Sequence, residues 1–395
     1  MQLAFDADVE AFRAEFVAFL DEHLPDEAET VQRSHSSSDV PPWARRWQRL
    51  LFDHGWLLPG NPPEFGGRNA TVLQQYVHAE ELSRRRIYLS FNPQGIGIIA
   101  ASILSFGTSE QKQRWAVPIL RAEMTASLGM SEPGAGSDLA SLHTRAVRRS
   151  DSQGDHFVVD GQKVWTSGAH DADVLLTFVR TDPDAPKHKG ISVLLIPTDS
   201  PGVTRRPFAS ASDREDLDFN EVFFTDVRVP VENLVGPLNQ GWRVATGSLG
   251  HERTMLWMGY ADQLRELTAD FRPSGALERD VYATLVMDSE ALRLLGSVAL
   301  ARAARGEEDV PSLSVLKLLG SEAVQTATGH VLSAAGTDGL VHPATTGPYA
   351  PLNLDSHYGS WFDRYFRSFA ATIAGGTSEI QRNIIAERIL GLPRK

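Results

Sequence analysis

Gly129-Met130-Ser131-Glu132-Pro133-Gly134-Ala135-Gly136-Ser137-Asp138 divides the chain into two textures. Before it, residues 1 to about 120 read as helices separated by Pro/Gly-rich turns. One such turn is Pro59-Gly60-Asn61-Pro62-Pro63-Glu64-Phe65-Gly66-Gly67, and another precedes the apolar run from Ile96 to Phe106. At the start, Phe5, Val9, Phe12, Phe16, Phe19 and Leu20 fall at helical spacing and are interrupted by acids. That pattern predicts an amphipathic helix and not a signal peptide. Past the Gly-rich string come short β-rich runs: His156 to Val159, Val174 to Val179, Ile191 to Ile196 and Asn220 to Phe224. Asp160-Gly161 and Pro201-Gly202 read as the turns that divide them, as in a small antiparallel β domain. After Pro230 helical periodicity returns to the end. It breaks at Arg272-Pro273-Ser274-Gly275 and at a loop from Gly336 to Ser360. The expectation is a mainly α fold with a central β domain: a helical domain over 1–120, a β domain over 121–229 and a helical domain over 230–395.

Composition narrows the function. The 395 residues carry 50 acids against 38 Lys plus Arg, a net charge of −12. Such a surface has no general attraction for nucleic-acid phosphate or anionic lipid. The chain has no cysteine, which excludes disulfides, thiolate–metal sites, Fe–S clusters and a Cys nucleophile. No apolar run of membrane-spanning length occurs, so the expectation is a soluble, cytoplasmic protein. His170-Asp171-Ala172-Asp173 is the nearest approach to a metal cluster. It lacks a ligand-spacing pattern and reads as a loop end, so no metal is expected. Ser34 to Ser38 reads as a surface loop.

Three strings carry chemistry. In Gly129 to Asp138, small residues let backbone N–H groups approach an anionic or planar ligand, and Ser131 and Ser137 add hydroxyl donors. Gly-Ala-Gly by itself would more simply be a tight turn. Gly161-Gln162-Lys163-Val164-Trp165-Thr166-Ser167-Gly168 puts an indole and two hydroxyls at a strand end, where a lone Trp more often serves packing. The third string is Gly375-Gly376-Thr377-Ser378-Glu379-Ile380-Gln381-Arg382-Asn383.

Together these strings resemble the flavin-dependent acyl-CoA dehydrogenase family, and the order of elements agrees over essentially the whole chain. The resemblance implies an N-terminal helical domain, a middle antiparallel β domain and a C-terminal four-helix bundle. FAD would lie between β domain and bundle, its adenine end reaching a neighbouring subunit. Met130 and Ser131 would sit beside the isoalloxazine, the Ser131 hydroxyl near N5, with Trp165 and Ser167 on the other side. Gly136 and Ser137 would border the flavin phosphates or the CoA of the thioester. Gly376 and Thr377 would lie near the flavin, with Gly375 beside the substrate. Electrons would pass to an electron-transfer flavoprotein.

Desaturating an acyl thioester removes an α proton while a β hydride goes to flavin N5, so a carboxylate must face the α carbon. Many relatives place it immediately before the Gly-Thr of the third string. Here that residue is Gly375, which cannot act. Other relatives place a Glu directly before an Arg on the first long helix of the C-terminal domain. This chain has Glu252-Arg253 there. Ala245, Leu249, Glu252, Met255, Leu256 and Gly259 share one helical stripe. A carboxylate among apolar neighbours has its pKa raised toward the operating pH. Glu252 is the expected base and Arg253 the expected contact to the CoA side. An ordinary Glu–Arg surface pair is the plainer alternative.

Two departures from the family pattern bear on assembly. The Arg-x-x-Phe-Gly element that holds the adenine half of FAD is replaced by Glu266 to Gly275. The Gly-Gly-rich element is altered to Ser333-Ala334-Ala335-Gly336-Thr337-Asp338-Gly339. A homodimer, a homotetramer and a hetero-oligomer with a related chain all remain open. Ala374 and Gly375 remove bulk where an acyl chain enters, which favours a branched or ring-bearing group. Alternatives are an acyl-carrier-protein thioester as substrate, with Arg84-Arg85-Arg86 as a docking surface if it lies at the tunnel mouth; a flavin monooxygenase or nitroalkane-type oxidase; and a non-catalytic subunit that stabilises a paralogue. An Arg run is otherwise a solvated helix face.

Overall fold

A computed structural model describes residues 5–25, 36–85, 87, 89–211, 217–307, 310–337 and 361–393; of 248–256, 270, 310, 361 and 363 it describes the backbone only. The N-terminal helices are α1 (Ala7–His23), α2 (Pro42–Asp53) and α3 (Val72–Arg85). A π-helical segment, Gly95–Ala100, leads into α4 (Ala101–Phe106), followed by the short α5 (Ser109–Gln111) and α6 (Val117–Leu120). In α1 the buried residues are Val9, Phe12, Phe16, Phe19 and Leu20, the stripe that the spacing predicts. They pack with Trp47, Leu51 and Trp56 in a core that runs on through Ile99 and Ile103 into the β domain.

Among the described residues seven strands form one sheet: β1 (Ala126–Gly129), β2 (Arg145–Asp151), β3 (Gly154–Lys163), β4 (Val174–Arg180), β5 (Ile191–Pro197), β6 (Val203–Phe208) and β7 (Phe219–Pro230). Their order is β1-β4-β2-β3-β7-β6, with β5 on β4. The pairings are antiparallel, β5 on β4 included, except that β1 runs parallel to β4 over Ala126 to Gly129 and β2 meets β4 in parallel at Arg145–Arg180. β1 enters from the helical domain, so a long crossover and not a hairpin connects it to its partner. Asp160-Gly161 does not form the expected turn. It lies inside β3 at a bulge between Val159 and Gly161. A side chain at Gly161 would come within 2.6 Å of the Thr144 backbone, so glycine here serves close strand approach. Gly202, at φ +90°, does sit in the turn before β6.

The C-terminal domain is built from α7 (Gly241–Asp270), α8 (Ala276–Ala304), α9 (Val310–Ala334), α10 (Trp361–Ile373) and α11 (Ser378–Ile384). The first four pack around Trp257, Tyr260, Leu264, Leu292, Leu316 and Ala327. Two rings sit in glycine notches: a Cβ on Gly296 would lie 2.4 Å from the Trp257 indole, and one on Gly320 2.3 Å from the Tyr260 ring. α7 belongs to two cores. Val244 and Ala245 join the core shared by the N-terminal helices and the sheet, while Trp257 to Leu267 join the bundle. The break between α7 and α8 falls at 271–275, as Pro273 and Gly275 predict. Most of the expected loop from Gly336 to Ser360 lies outside the described residues.

Candidate active site

β1 ends at Gly129, where a Cβ would lie 3.0 Å from the Thr177 hydroxyl, and hands the chain to the Met130–Asp138 loop. Within the loop Glu132 and Ala135 exchange backbone hydrogen bonds of 2.9 and 3.0 Å, closing a tight turn over Pro133-Gly134. Met130 and Ser131 are half-buried; Gly134, Gly136, Ser137 and Asp138 are exposed. Among the described residues no atom lies within 4 Å of where a Cβ on Gly134 or Gly136 would sit, so this rim faces open space. Asp138 is committed to Lys187 at 3.0 Å and to Ser141, which holds its carboxyl below the usual range.

The loop is bolted to the end of β3. Lys163 Nζ donates to Glu132 Oε1 at 2.8 Å and to the Met130 carbonyl at 3.2 Å, and Val164 N–H donates to the Ser131 carbonyl at 3.0 Å. Two residues on, Trp165 adopts φ +60°, a left-handed conformation rare for an aromatic residue. Its indole stands edge-on to Phe208 and Phe219, at centroid distances of 5.2 and 5.5 Å, and stays 60 % exposed. Beside it Thr166 is fully buried, with an Oγ1 that has no hydrogen-bond partner among the described residues. The Ser167 carbonyl accepts from Ser127 Oγ of β1 at 2.5 Å. A half-buried wall, Met130-Ser131, and an exposed aromatic wall, Trp165, are thus joined through a single strand end.

The third string lies on the bundle. Gly375 and Gly376 take φ +67° and +98°, and Thr377 caps α11 by accepting from Ile380 N–H at 3.2 Å. Buried Lys317 of α9 donates to the Gly376 carbonyl at 2.7 Å, and Gln381 donates to the Gly375 carbonyl at 3.1 Å. A glutamate at 375 would sit in a backbone conformation that suits glycine, so chain geometry as well as residue identity tells against a base there. Glu252 and Arg253 lie in α7, but their side chains fall outside the described residues. The helix itself is placed. Gly247 abuts the Phe106 ring, its Cβ position 2.7 Å away, and Val244 and Ala245 are buried, so this part of α7 runs between the sheet and the N-terminal helices.

Other expected residues have structural partners. Arg84 pairs with Glu81 at 3.2 Å and Arg85 with Asp21 at 2.7 Å; Arg86 lies outside the described residues. His170 is 3.1 Å from both Asn220 and Asp171, and Asp173 accepts from Thr125 N–H at 2.7 Å. A cavity of about 850 Å³ opens between α3, α7 and α8, with Tyr76 and Trp257 stacked in its wall. Its α7 lining, Trp257 to Ala269, begins more than a turn past 252, towards the C-terminal end of the helix. The Glu132–Lys163 pair is the contribution that sequence reasoning missed, although both residues stand inside the strings that carry the chemistry.

Three family models match consecutive segments of the chain: acyl-CoA dehydrogenase N-terminal domain at 6–123, middle domain at 127–227 and C-terminal domain at 239–390. The chain belongs to the acyl-CoA dehydrogenase family. Acyl-CoA dehydrogenase IpdE1 of Mycobacterium tuberculosis (strain ATCC 25618 / H37Rv) is 34% identical over 400 residues, covering 98% of this chain and 99% of its own. Acyl-CoA dehydrogenase FadE26 of the same organism is 34% identical over 366 residues, 86% of each chain. Among solved structures, the Tcur3481-Tcur3483 steroid ACAD superposes with a TM-score of 0.79 at 31% identity, covering 100% of both chains. As an acyl-CoA dehydrogenase the protein is an oxidoreductase, and the family's members are flavoproteins. The residues fit that group. An exposed indole offers a planar face, the joined loop offers backbone and hydroxyl groups, and the glycine rim leaves room.

Proposed function

We propose that this acyl-CoA dehydrogenase desaturates a thioester bearing a branched or ring-containing acyl group, with FAD as cofactor and Glu252 as base. The observation that carries the reading is the junction at the end of β3, which holds the Met130-Ser131 wall and the exposed Trp165 indole in one rigid unit. FAD, when bound, supplies the acceptor for the β hydride. Met130, Ser131, Trp165 and Ser167 would flank the ring, Gly136 and Ser137 would border its phosphates or the thioester's CoA, and Gly376 and Thr377 would close the site from the bundle. Glu252 takes the α proton. A carboxylate on an apolar stripe would hold a proton more tightly than one in water, which would suit a base working near neutrality. Arg253 points the CoA end, and the electrons leave to an electron-transfer flavoprotein. The preference for bulk rests on small Ala374 and Gly375 and on full-length similarity to a steroid ACAD.

Glu252→Gln tests the assignment. Turnover should fall by roughly 10²–10⁴-fold while FAD content stays at the parent value. An unchanged rate removes Glu252 from the chemistry. Faster desaturation of butyryl-CoA than of ring-bearing thioesters overturns the substrate reading and leaves the base assignment standing.

A further inference from the structure

The Lys163 ammonium has no solvent exposure and the Glu132 carboxylate 6 %. Taking two opposite charges out of water carries a large desolvation cost. A buried pair of this kind is seldom worth more to stability than apolar residues of the same volume. Its position gives it another use. Glu132 sits three residues after β1 and accepts from His143 N–H at 2.6 Å, Thr144 N–H at 2.8 Å and Lys163 Nζ at 2.8 Å. Lys163 also holds the Met130 carbonyl, and its neighbour Val164 holds Ser131. Met130, Ser131 and Glu132 are therefore each fastened by residue 163 or 164. The same strand end releases Trp165 two residues later. Burial is the largest influence on both groups and disfavours charge on each. For Glu132 it is outweighed by Lys163 and the N–H donors, which leave the carboxyl below its usual range; Lys163 is pushed down to about 8.

We propose that Lys163 and Glu132 are a positioning pair for the flavin: they set the Met130–Ser131 backbone and its spacing from Trp165, and so fix where the isoalloxazine lies. The proposal rests on the flavin reading of the site. Neither residue touches substrate in this scheme, and both act through the loop they hold. The pair should therefore govern how tightly and in what environment the ring is held, more than whether the chain folds.

The test uses the full chain as Glu132→Gln, as Lys163→Met and as the two combined. FAD dissociation constant, visible flavin spectrum, flavin midpoint potential and thermal midpoint are measured for each. The double variant leaves no unpaired buried charge, so it supplies the answer where a single variant fails to fold. The expected result is a double variant with a thermal midpoint near the parent's, at least tenfold weaker FAD binding and a displaced flavin band or potential. A folded double variant with parental affinity, spectrum and potential overturns the proposal. So does a double variant that cannot fold, since the pair would then be structural. A parent chain that takes up no FAD, alone or with a related chain, overturns the flavin reading itself, an outcome separate from either.

Discussion

His78 is packed against Phe16 and Trp56, and its Nε2–H donates to the Trp56 carbonyl at 2.9 Å. Burial pushes its pKa from 6.5 down to about 3. The unfolded chain takes up this proton as pH falls below 6.5, whereas the folded chain refuses it until about 3. Stability is therefore lost as pH falls through that window, by up to ~1.4 kcal/mol per pH unit. His78→Gln keeps an N–H donor and removes the titration. Between pH 6.5 and about 4.5 it should lose about 2 kcal/mol less than the parent in urea unfolding; equal losses would exclude the mechanism. Residues of this kind mark the edge of what sequence shows. Met130, Ser131 and Trp165 were legible because short strings of unusual composition carry them. Glu132 and Lys163 stand in those same strings without a signal, because they meet across 31 positions of chain.

At the scale of elements, periodicity placed α1, β4 and β5 and the break between α7 and α8. It failed where pairing partners are distant. The bulge in β3 imitates a turn because Asp-Gly serves both, and the parallel entry of β1 has no local pattern. Helix packing depends on equally non-local fits. Gly296 on α8 admits the Trp257 indole of α7, which is 4 % exposed. Gly296→Val would drive its Cβ into that ring and should cost roughly 1–3 kcal/mol. Denaturant midpoints measure it, and a variant as stable as the parent would mean the two helices part without penalty.

For the whole molecule, the helix–sheet–helix organisation was visible in texture alone, whereas assembly was not. Met287, Leu294 and Val298 of α8 are 70, 55 and 49 % exposed and fall on one side of the helix, an apolar row of the kind that partner chains cover. The chain should elute above its 43.3 kDa monomer mass. FAD near one per chain in that species would assign a homo-oligomer, and FAD uptake only on co-expression with a related chain a hetero-oligomer. A lone, stable monomer would contradict both.

α7 holds one further consequence. Its first turns are part of the core common to the N-terminal helices and sheet, its later turns are the spine of the bundle, and residue 252 stands between them. The three segments look modular along the gene, yet this helix makes them inseparable. Recombination at the boundary near 240 would hand one product an apolar stub and the other an unfilled groove. The catalytic candidate thus sits on a rod that both cores share.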